Sequence, residues 1–550
     1  MSKKLRVSNK DTLFYDFLDK SLLIILIGIV LIFVFYPILC VINQSIFINK
    51  SLSFDLYKNI IEENKHLLFN SISVGLISAT LSTLIATIVA INISFLSTKM
   101  KNIGRIILML SMISPPFIAS LAYIQLFGKR GYITHYLLNI DYNPYGAHGV
   151  IAMQVISFIP ISSLMIMSVI EKVDNSILKA SLDLGASRNF TIINILIPLI
   201  KPGIVVSFLL SFVRSLADFG TVTIIGGKFE TIATEIYMEI IGYANFNLAA
   251  AMNVILMLPA FIIFIPYRKN MKKLNSMFKH NEKTVEDDVK VNLTGTLKGI
   301  FFIVTLCFAI FNLLQYGCIF LSSISKFSKG EFVFTLDYLK NIKEYSLDSF
   351  TRSIVYSLIS GLVGSFIGVM ISYYIEKRKI IGGVAIDFIT TLPYILPGTF
   401  FGIAYILAFN KQPFLLTGTA FIVIVNCIFK QIPLTTKTSS AILSQISEDI
   451  ENSARDLGAS RIHVIKDIIL PNAKEAFLVG FINNFTSTMT TFGALIFLVY
   501  PGKEVATVKL FDVINSGEYG IASMMSVVII LITLFINILF TLLVSRKKVV

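Results

Sequence analysis

The six residues Asp183-Leu184-Gly185-Ala186-Ser187-Arg188 return unchanged as Asp456-Leu457-Gly458-Ala459-Ser460-Arg461, 273 positions later. At the same spacing Pro160 falls on Pro433, Pro198 on Pro471 and Phe219-Gly220 on Phe492-Gly493. One six-residue identity is within reach of chance. Four matches at one offset across 60 residues are a duplication. The chain is two copies of one unit, and each copy has to be read beside the other.

Composition fixes the solvent. Of 550 residues, 55% are apolar and 15% charged, against about 25% charged in soluble domains; the mean hydropathy is +0.78. Mostly apolar runs recur, each long enough to cross a hydrocarbon core of about 30 Å as a helix. They fall at 21–42, 70–95, 103–127, 149–170, 203–226 and 248–267, then at 298–322, 353–375, 384–409, 416–435, 476–500 and 520–543. This excludes a soluble globular fold and predicts an all-α integral membrane protein of about 12 transmembrane helices. Six helices per copy give both copies the same orientation, so the repeat is parallel, about an axis along the membrane normal. The expected domains are a first transmembrane domain over 1–280, a cytoplasmic linker over 281–297 and a second transmembrane domain over 298–550.

Charge assigns the sides. A net charge of +14 would suit nucleic acid, but its placement argues otherwise. With the N-terminus inside, 31 of the 47 Lys and Arg residues fall in inside segments. Arg268-Lys269, Lys377-Arg378-Lys379 and Arg546-Lys547-Lys548 directly follow apolar runs, as cytoplasmic anchors do. No nucleic-acid partner is expected; lipid is. Both termini and both six-residue strings are expected in the cytoplasm. The run at 21–42 is too long for a signal-peptide core and reads as the first membrane helix. Cys40, Cys307, Cys318 and Cys427 lack CxxC spacing and the five histidines form no HExxH, so neither a metal site nor a disulfide framework is predicted.

The copies also differ. Upstream the offset is 282: Ser71-Ile72 matches Ser353-Ile354, Pro115 matches Pro397, and Ala122-Tyr123 matches Ala404-Tyr405. The first copy therefore carries nine extra residues in an outside loop near 131–148, with Tyr132, Tyr136, Tyr142 and Tyr145. That loop is either a tolerated insertion or a docking surface for an external partner. Pro115-Pro116, Pro393 and Pro397 interrupt apolar runs, predicting simple kinks or irregular helices beside a pathway. Arg214 and Asp218 are four apart and share a face of the fifth helix, roughly 17 Å deep. The second copy places Ser487 and Thr491 there. Intramembrane charges face a cavity or one another, so the four positions line a translocation path, or the charged pair packs helices. Asn483, Asn484, Thr486, Thr488, Thr490 and Thr491 read first as interhelical glue. The outside segments 228–247 and 501–519 are surface helices, re-entrant helices or plain loops.

Each six-residue string sits in a segment too polar to span, Asp174–Pro198 or Glu448–Pro471. A helical stretch ends at Gly185 or Gly458, the residue type that closes helices. Ser187 or Ser460 then caps a second helix, which runs on to the proline. The reading is a helix–turn–helix lying at the membrane surface.

This pattern resembles the EAA loop of permease subunits of binding-protein-dependent ABC importers: Glu-Ala-Ala, three residues, Gly, about nine residues, then Ile-x-Leu-Pro. Here it reads Ala180-Ser181, Gly185 and Ile195-Leu196-Ile197-Pro198, then Ser453-Ala454, Gly458 and Ile468-Ile469-Leu470-Pro471. Lys179 and Asn452 replace the family's Glu. Two such domains in one chain resemble the ferric-iron-type permeases. Ser215-Leu216-Ala217-Asp218-Phe219-Gly220-Thr221, with Gly226-Gly227 and Ala233–Tyr237, is similar to the Asp-Phe-Gly region of that group and of aminoethylphosphonate permeases.

The resemblance implies the type I (MetI-like) importer permease fold in a bacterial inner membrane. It implies coupling through Ala180, Asp183, Leu184, Gly185, Ala186, Ser187, Arg188 and Pro198, and through Ala454, Asp456, Leu457, Gly458, Ala459, Ser460, Arg461 and Pro471. The implied partners are two cytoplasmic ATPase subunits, which hold ATP and Mg, and an external substrate-binding protein; no cofactor is implied in this chain. Ferric iron is the implied substrate, with aminoethylphosphonate, thiamine or a polyamine as alternatives. The chain has no G-x-x-x-x-G-K-[ST], so it is not expected to hydrolyse ATP itself. A secondary transporter with a six-plus-six parallel repeat is the rival from another class. It would often carry a G-x-x-x-D-R-x-G-R-R-like loop where this chain has Thr98-Lys99-Met100-Lys101-Asn102-Ile103-Gly104-Arg105.

Overall fold

The computed structural model describes residues 9–48, 51–280, 293–328 and 331–545. Residues 281–292 of the expected linker, and the basic clusters at the two chain ends, lie outside them. Apart from turns and loops, the described chain is helical with three two-stranded hairpins, Phe47–Ile48 with Ser51–Leu52, Ser325–Ser328 with Glu331–Phe334, and Asn410–Lys411 with Phe414–Leu415.

Among the described residues nine helices are long and apolar enough to cross a membrane, and two bent pairs bring the number to as many as eleven. Proline accounts for the bent pairs. A residue before proline is pushed out of the helical region, and Ser114 and Leu396 take ψ values of 145° and 141°. The expected runs 103–127 and 384–409 are therefore broken. Thr98–Ile113 and Phe117–Leu137 meet at 99°, and Gly383–Ile395 and Gly398–Phe409 at 114°. These are breaks, not kinks. Two more runs stop early. The fifth helix of the first copy ends at Leu216 and resumes as Gly220–Ile225, and its counterpart Lys474–Thr490 is followed by Leu495–Leu498.

Compact units do not follow the sequence halves. One unit comprises Ser53–Tyr345 and Leu510–Val528; the other comprises Met1–Leu52, Ser346–Lys509 and Ile529–Val550. We call them the first-loop and second-loop units after the string each holds. Each takes its leading long helix from the other sequence copy: Gly295–Ile324 belongs to the first-loop unit, and the span Phe17–Ile46 to the second-loop unit. The boundaries at 280 and 298 mark the duplication, while contacts divide the chain elsewhere.

In the first-loop unit, Lys65–Ser94, Ala147–Ile170 and Ile197–Leu216 pack on one another. Ala86, Val89 and Ala90 meet Ile159, Ile166 and Val169 there. In the second-loop unit, Leu347–Ser372, Ala420–Leu443 and Lys474–Thr490 repeat the arrangement. Small residues let the backbones approach, as expected where lipid removes the hydrophobic drive between helices. A Cβ at Gly368 would lie 2.4 Å from the Thr435 methyl, and one at Gly361 would lie 2.8 Å from Phe481. Thr435 Oγ1 donates to Asn484 Oδ1 at 3.4 Å and Asn537 Nδ2 donates to Thr486 Oγ1 at 2.8 Å. Part of the polar run at 483–491 thus joins helices.

The leading helix of the second-loop unit bends through a π-helical turn at Leu31–Phe35 before Pro37. Proline lacks an N–H and its ring displaces the carbonyl four residues back. That carbonyl is Phe33 O, and the buried Tyr405 hydroxyl donates to it at 2.7 Å. The segments at 228–247 and 501–519 contain the helices Ile232–Ile241 and Ala506–Asn515. Ser71 Oγ accepts from Ile232 N at 2.9 Å and Ser353 Oγ from Ala506 N at 2.8 Å, so matched serines hold both helix starts.

We expect Gly368→Val to destabilise the detergent-solubilised chain by about 1–3 kcal/mol through overpacking. Gly317→Ala has open space and should change stability by less than about 1 kcal/mol. Thermal unfolding followed by size-exclusion chromatography separates the two outcomes.

Candidate functional site

The two hairpins share one backbone construction. Asp174 Oδ1 accepts from Ser176 N at 2.9 Å and opens the helix Asn175–Asp183; Ser447 Oγ accepts from Asp449 N at 3.1 Å and opens Glu448–Asp456. Both helices close in a Schellman motif, whose glycine must take positive φ. Gly185 has φ +87° and Gly458 φ +90°. Ala186 N donates to Ser181 O at 3.1 Å and Gly185 N to Leu182 O at 2.9 Å. In the second copy Ala459 N donates to Ala454 O at 3.0 Å and Gly458 N to Arg455 O at 2.9 Å. Ala180 O takes Leu184 N at 3.0 Å. Ser187 and Ser460 then cap the second arms, accepting from Phe190 N at 3.3 Å and His463 N at 3.4 Å.

Those second arms do not end at the prolines. Pro198 and Pro471 would each clash with a carbonyl four residues back, at Asn194 and Asp467. π-helical turns at Ile192–Leu196 and Ile465–Ile469 cover those positions. The first arm runs on as Ile197–Leu216; the second passes through Leu470–Asn472 into Lys474–Thr490. At the hairpin tips, Leu184 is 88% exposed and Leu457 87%, and Asp183, Arg188 and Asp456 stand in solvent beside them.

The seating differs. In the first hairpin Leu178 is buried with Ile192 and Leu196 in an apolar cluster of its unit. Ser181 Oγ and Thr191 Oγ1 join the arms at 2.9 Å. Asn189 exchanges two hydrogen bonds with the Thr294 backbone, at 3.1 and 3.0 Å. In the second hairpin no residue of Glu448–Asp456 is buried. Glu451 occupies the place of Leu178 and accepts from the Tyr373 hydroxyl at 2.9 Å. Lys379 Nζ pairs with Glu448 Oε1 at 2.9 Å, and Lys377 Nζ donates to Ile446 O.

Two carboxylates at the loop starts are held below their ordinary values. The Ser176 hydroxyl and N–H lower Asp174, and the hydrogen bond and charge of Lys379 lower Glu448. A depressed carboxylate stabilises the fold above its unfolded value, near pH 4, and loses that contribution as pH falls through the folded value. The Asp174 cap and the Glu448–Lys379 ion pair are therefore both in their charged form at neutral pH.

The helix break bears on the ion pair, one of the two readings of Arg214 and Asp218. The i, i+4 register between Arg214 and Asp218 needs an unbroken helix, and the helix ends at Leu216. Arg214 is exposed, and no ion pair joins it to Asp218 among the described residues. The Asp218 carboxylate instead accepts from Thr221 N at 3.0 Å, capping Gly220–Ile225, and from Gln154 Nε2 at 3.2 Å. Ser215 Oγ donates to Gln154 Oε1 at 2.5 Å. Thr491 marks the matching break, where its carbonyl accepts from Thr507 Oγ1 at 2.8 Å. Ser487 is half-buried one turn earlier. Gln154 escaped the sequence reading; the signal was a lone amide in the apolar run at 149–170. Asp19, described below, escaped it as well. No three His, Cys, Asp or Glu side chains gather into a metal site among the described residues, and all four cysteines are free.

The sequence profile of the binding-protein-dependent transport system inner membrane component matches this chain twice, at residues 82–317 and 364–549. The Ferric transport system permease protein FbpB of Actinobacillus pleuropneumoniae is 28% identical in an alignment of 542 residues that covers 94% of this chain and 78% of the relative. A Haemophilus influenzae protein provisionally named ferric transport system permease protein FbpB 1 is 28% identical over 521 residues, 91% of this chain and 80% of its own. A Salmonella paratyphi A protein provisionally named 2-aminoethylphosphonate transport system permease protein PhnV is 24% identical over 237 residues, 42% of this chain and 89% of its own. With two matches that together span most of its length, the chain belongs to the family of binding-protein-dependent transport system inner membrane components.

Proposed function

We propose that this chain is the permease of an ABC importer, carrying ferric iron delivered by an external binding protein and driven by ATP hydrolysed on two cytoplasmic ATPase subunits. The observation that carries this reading is the pair of matched hairpins. Each presents the same capped helix, the same Schellman turn and the same exposed leucine. Two identical tips in one chain suit two identical partners. Both hairpins and both termini then lie on the cytoplasmic side of the inner membrane, as the Lys and Arg distribution argues. The choice of iron rests on two relatives named for ferric transport, each aligned over more than 90% of the chain.

The hairpin is a lever in this mechanism. Leu184 and Leu457 enter clefts on the ATPase subunits, flanked by Asp183, Arg188 and Asp456. In the first copy the second arm continues from Arg188 to Leu216, roughly 43 Å at 1.5 Å per residue. Rotation at the tip thus reaches the break at Ala217–Phe219, where Asp218 lies. A carboxylate held by Gln154 and Thr221 offers a hard oxygen to a hard cation, so Asp218 is assigned to the translocation path. Thr491 and Ser487 occupy the neutral counterpart.

Three outcomes test the reading. Proteoliposomes holding the permease, its ATPase subunits and an iron-loaded binding protein should accumulate labelled ferric iron only with ATP. Uptake that persists without the ATPase and collapses with the proton gradient would falsify it, and accumulation of labelled aminoethylphosphonate in place of iron would displace the substrate. Gly185→Pro and Gly458→Pro cannot adopt φ near +90° and should each abolish uptake while the chain still inserts; wild-type uptake in both counts against a coupling role. Asp218→Asn should lower the uptake rate by about tenfold, or about 1.4 kcal/mol in the barrier, at normal expression. If the rate and substrate preference stay intact in Asp218→Asn and Arg214→Ala, neither residue serves the path.

A further inference from the structure

We infer that Asp19 is a positioning residue for the second hairpin: a buried carboxylate on the N-terminal membrane helix binds that loop by charge and makes helix and loop move together. The inference rests on reading the hairpins as the ATPase-coupling elements.

Asp19 is 2% exposed and faces three donors. The Tyr374 hydroxyl donates to Oδ1 at 2.9 Å. Arg378 Nη1 lies 3.2 Å from Oδ2, and Arg461 Nη1, from the repeated string itself, lies 3.7 Å from the same oxygen. The rings of Tyr15 and His463 add an edge-on contact at 4.8 Å. A carboxylate is rarely buried unless paired, and moving Arg461 or Arg378 away would strand this one in a poor solvent for charge. The segment that supplies Tyr374 and Arg378 also supplies Tyr373, Lys377 and Lys379, which hold Glu451, Ile446 and Glu448. One stretch of seven residues therefore grips both the first helix and the loop.

Among the described residues the first-loop unit has no buried carboxylate clamping its hairpin; its ion pairs join Lys101 and Arg105 to the partly exposed Glu171, ahead of the hairpin. Asn92 stands at the position of Tyr374 and donates to Thr305 Oγ1 at 3.0 Å, a neutral bond to that unit's own leading helix. Arg188 stands at the position of Arg461 and is exposed, in no ion pair among the described residues. Leu178 replaces Glu451 and is seated by apolar contact.

The test uses the full-length chain in two assays, tryptic cleavage of the loops in membranes and iron moved per ATP hydrolysed in the complete transporter. Asp19→Asn keeps the volume and the Tyr374 hydrogen bond and removes only the charge. Cleavage at Arg455 should accelerate at least about fivefold while cleavage at Lys179 stays constant, and iron per ATP should fall by a similar factor. Asp19→Glu should restore most of both. Arg461→Gln, at a partly exposed site, should reproduce the effect alone and add nothing to Asp19→Asn; Arg188→Gln should combine with it multiplicatively. Unchanged cleavage and iron per ATP in Asp19→Asn, or independent effects of Asp19→Asn and Arg461→Gln, overturns the inference. A wild-type complex that moves no iron on ATP sinks the proposed function, and the cleavage assay then decides on Asp19 alone.

Discussion

Lipid offers no hydrogen bonds, so every backbone group within it must be satisfied by the protein. Proline removes a donor and displaces an acceptor, and this chain uses that disturbance in three ways. At Pro37 the helix tolerates it: a π-helical turn precedes the ring, and the Tyr405 hydroxyl takes the freed Phe33 carbonyl. At Pro115 and Pro397 the helix stops and restarts at a steep angle. At Pro198 a π-helical turn lets the helix run on to Leu216, and at Pro471 a like turn leads to a helix that pauses at Ala473 and restarts at Lys474. The last case has the largest consequence for function. In the first copy it joins a polar surface hairpin to a core helix without a break, and the proposed lever rests on that continuity.

The duplicated hairpins keep what the backbone needs and vary what the side chains do. The capping serines and the glycines at positive φ cannot be exchanged freely, because the turn requires them. Seating imposes no such restriction. One hairpin rests on Leu178 and the aliphatic residues around it. The other has no buried residue on its first arm and is held by Tyr373, Lys377 and Lys379. Apolar seating tolerates small slides at little cost, since it is non-directional. Paired charges around Asp19 resist them, because separation exposes the full desolvation penalty. The two hairpins therefore differ in how they are seated while presenting the same tip.

What the sequence disclosed follows from the range of each interaction. The Schellman glycine, the serine caps and the proline all act within a few residues, so 183–188 and 456–461 could be read directly. The apolar runs likewise located the long helices. The pairing of Arg214 with Asp218 failed because it assumed an unbroken helix, and the stop at Leu216 has no proline or glycine at its own position to announce it. The exchange of leading helices depends on contacts hundreds of residues apart, which no local pattern encodes. In the sequence Asp19 is one acidic residue just ahead of the first apolar run, in no motif and at no repeat match. Its partners, Tyr374 and Arg378, lie more than 350 residues away, and Arg378 itself reads as part of an ordinary inside anchor.

Fusion of the copies makes this divergence possible. A symmetric dimer of one such domain would place every residue twice, because a twofold interface repeats each side chain. In the fused chain Asp218 is opposed in sequence by Thr491, Glu451 by Leu178, and Arg461, which pairs with Asp19, by an exposed Arg188. Under the proposed function, with Asp218 on the path, a single acidic group at the helix break has a physical advantage for a highly charged cation. Two fixed carboxylates on one path would deepen the well and slow release, whereas transport requires binding weak enough to leave. The neutral Thr491 keeps the break and its geometry while omitting the second charge. Asymmetry at the break and asymmetry at the loops thus have one origin, the freedom of a duplicated chain to keep a backbone twice and a charge once.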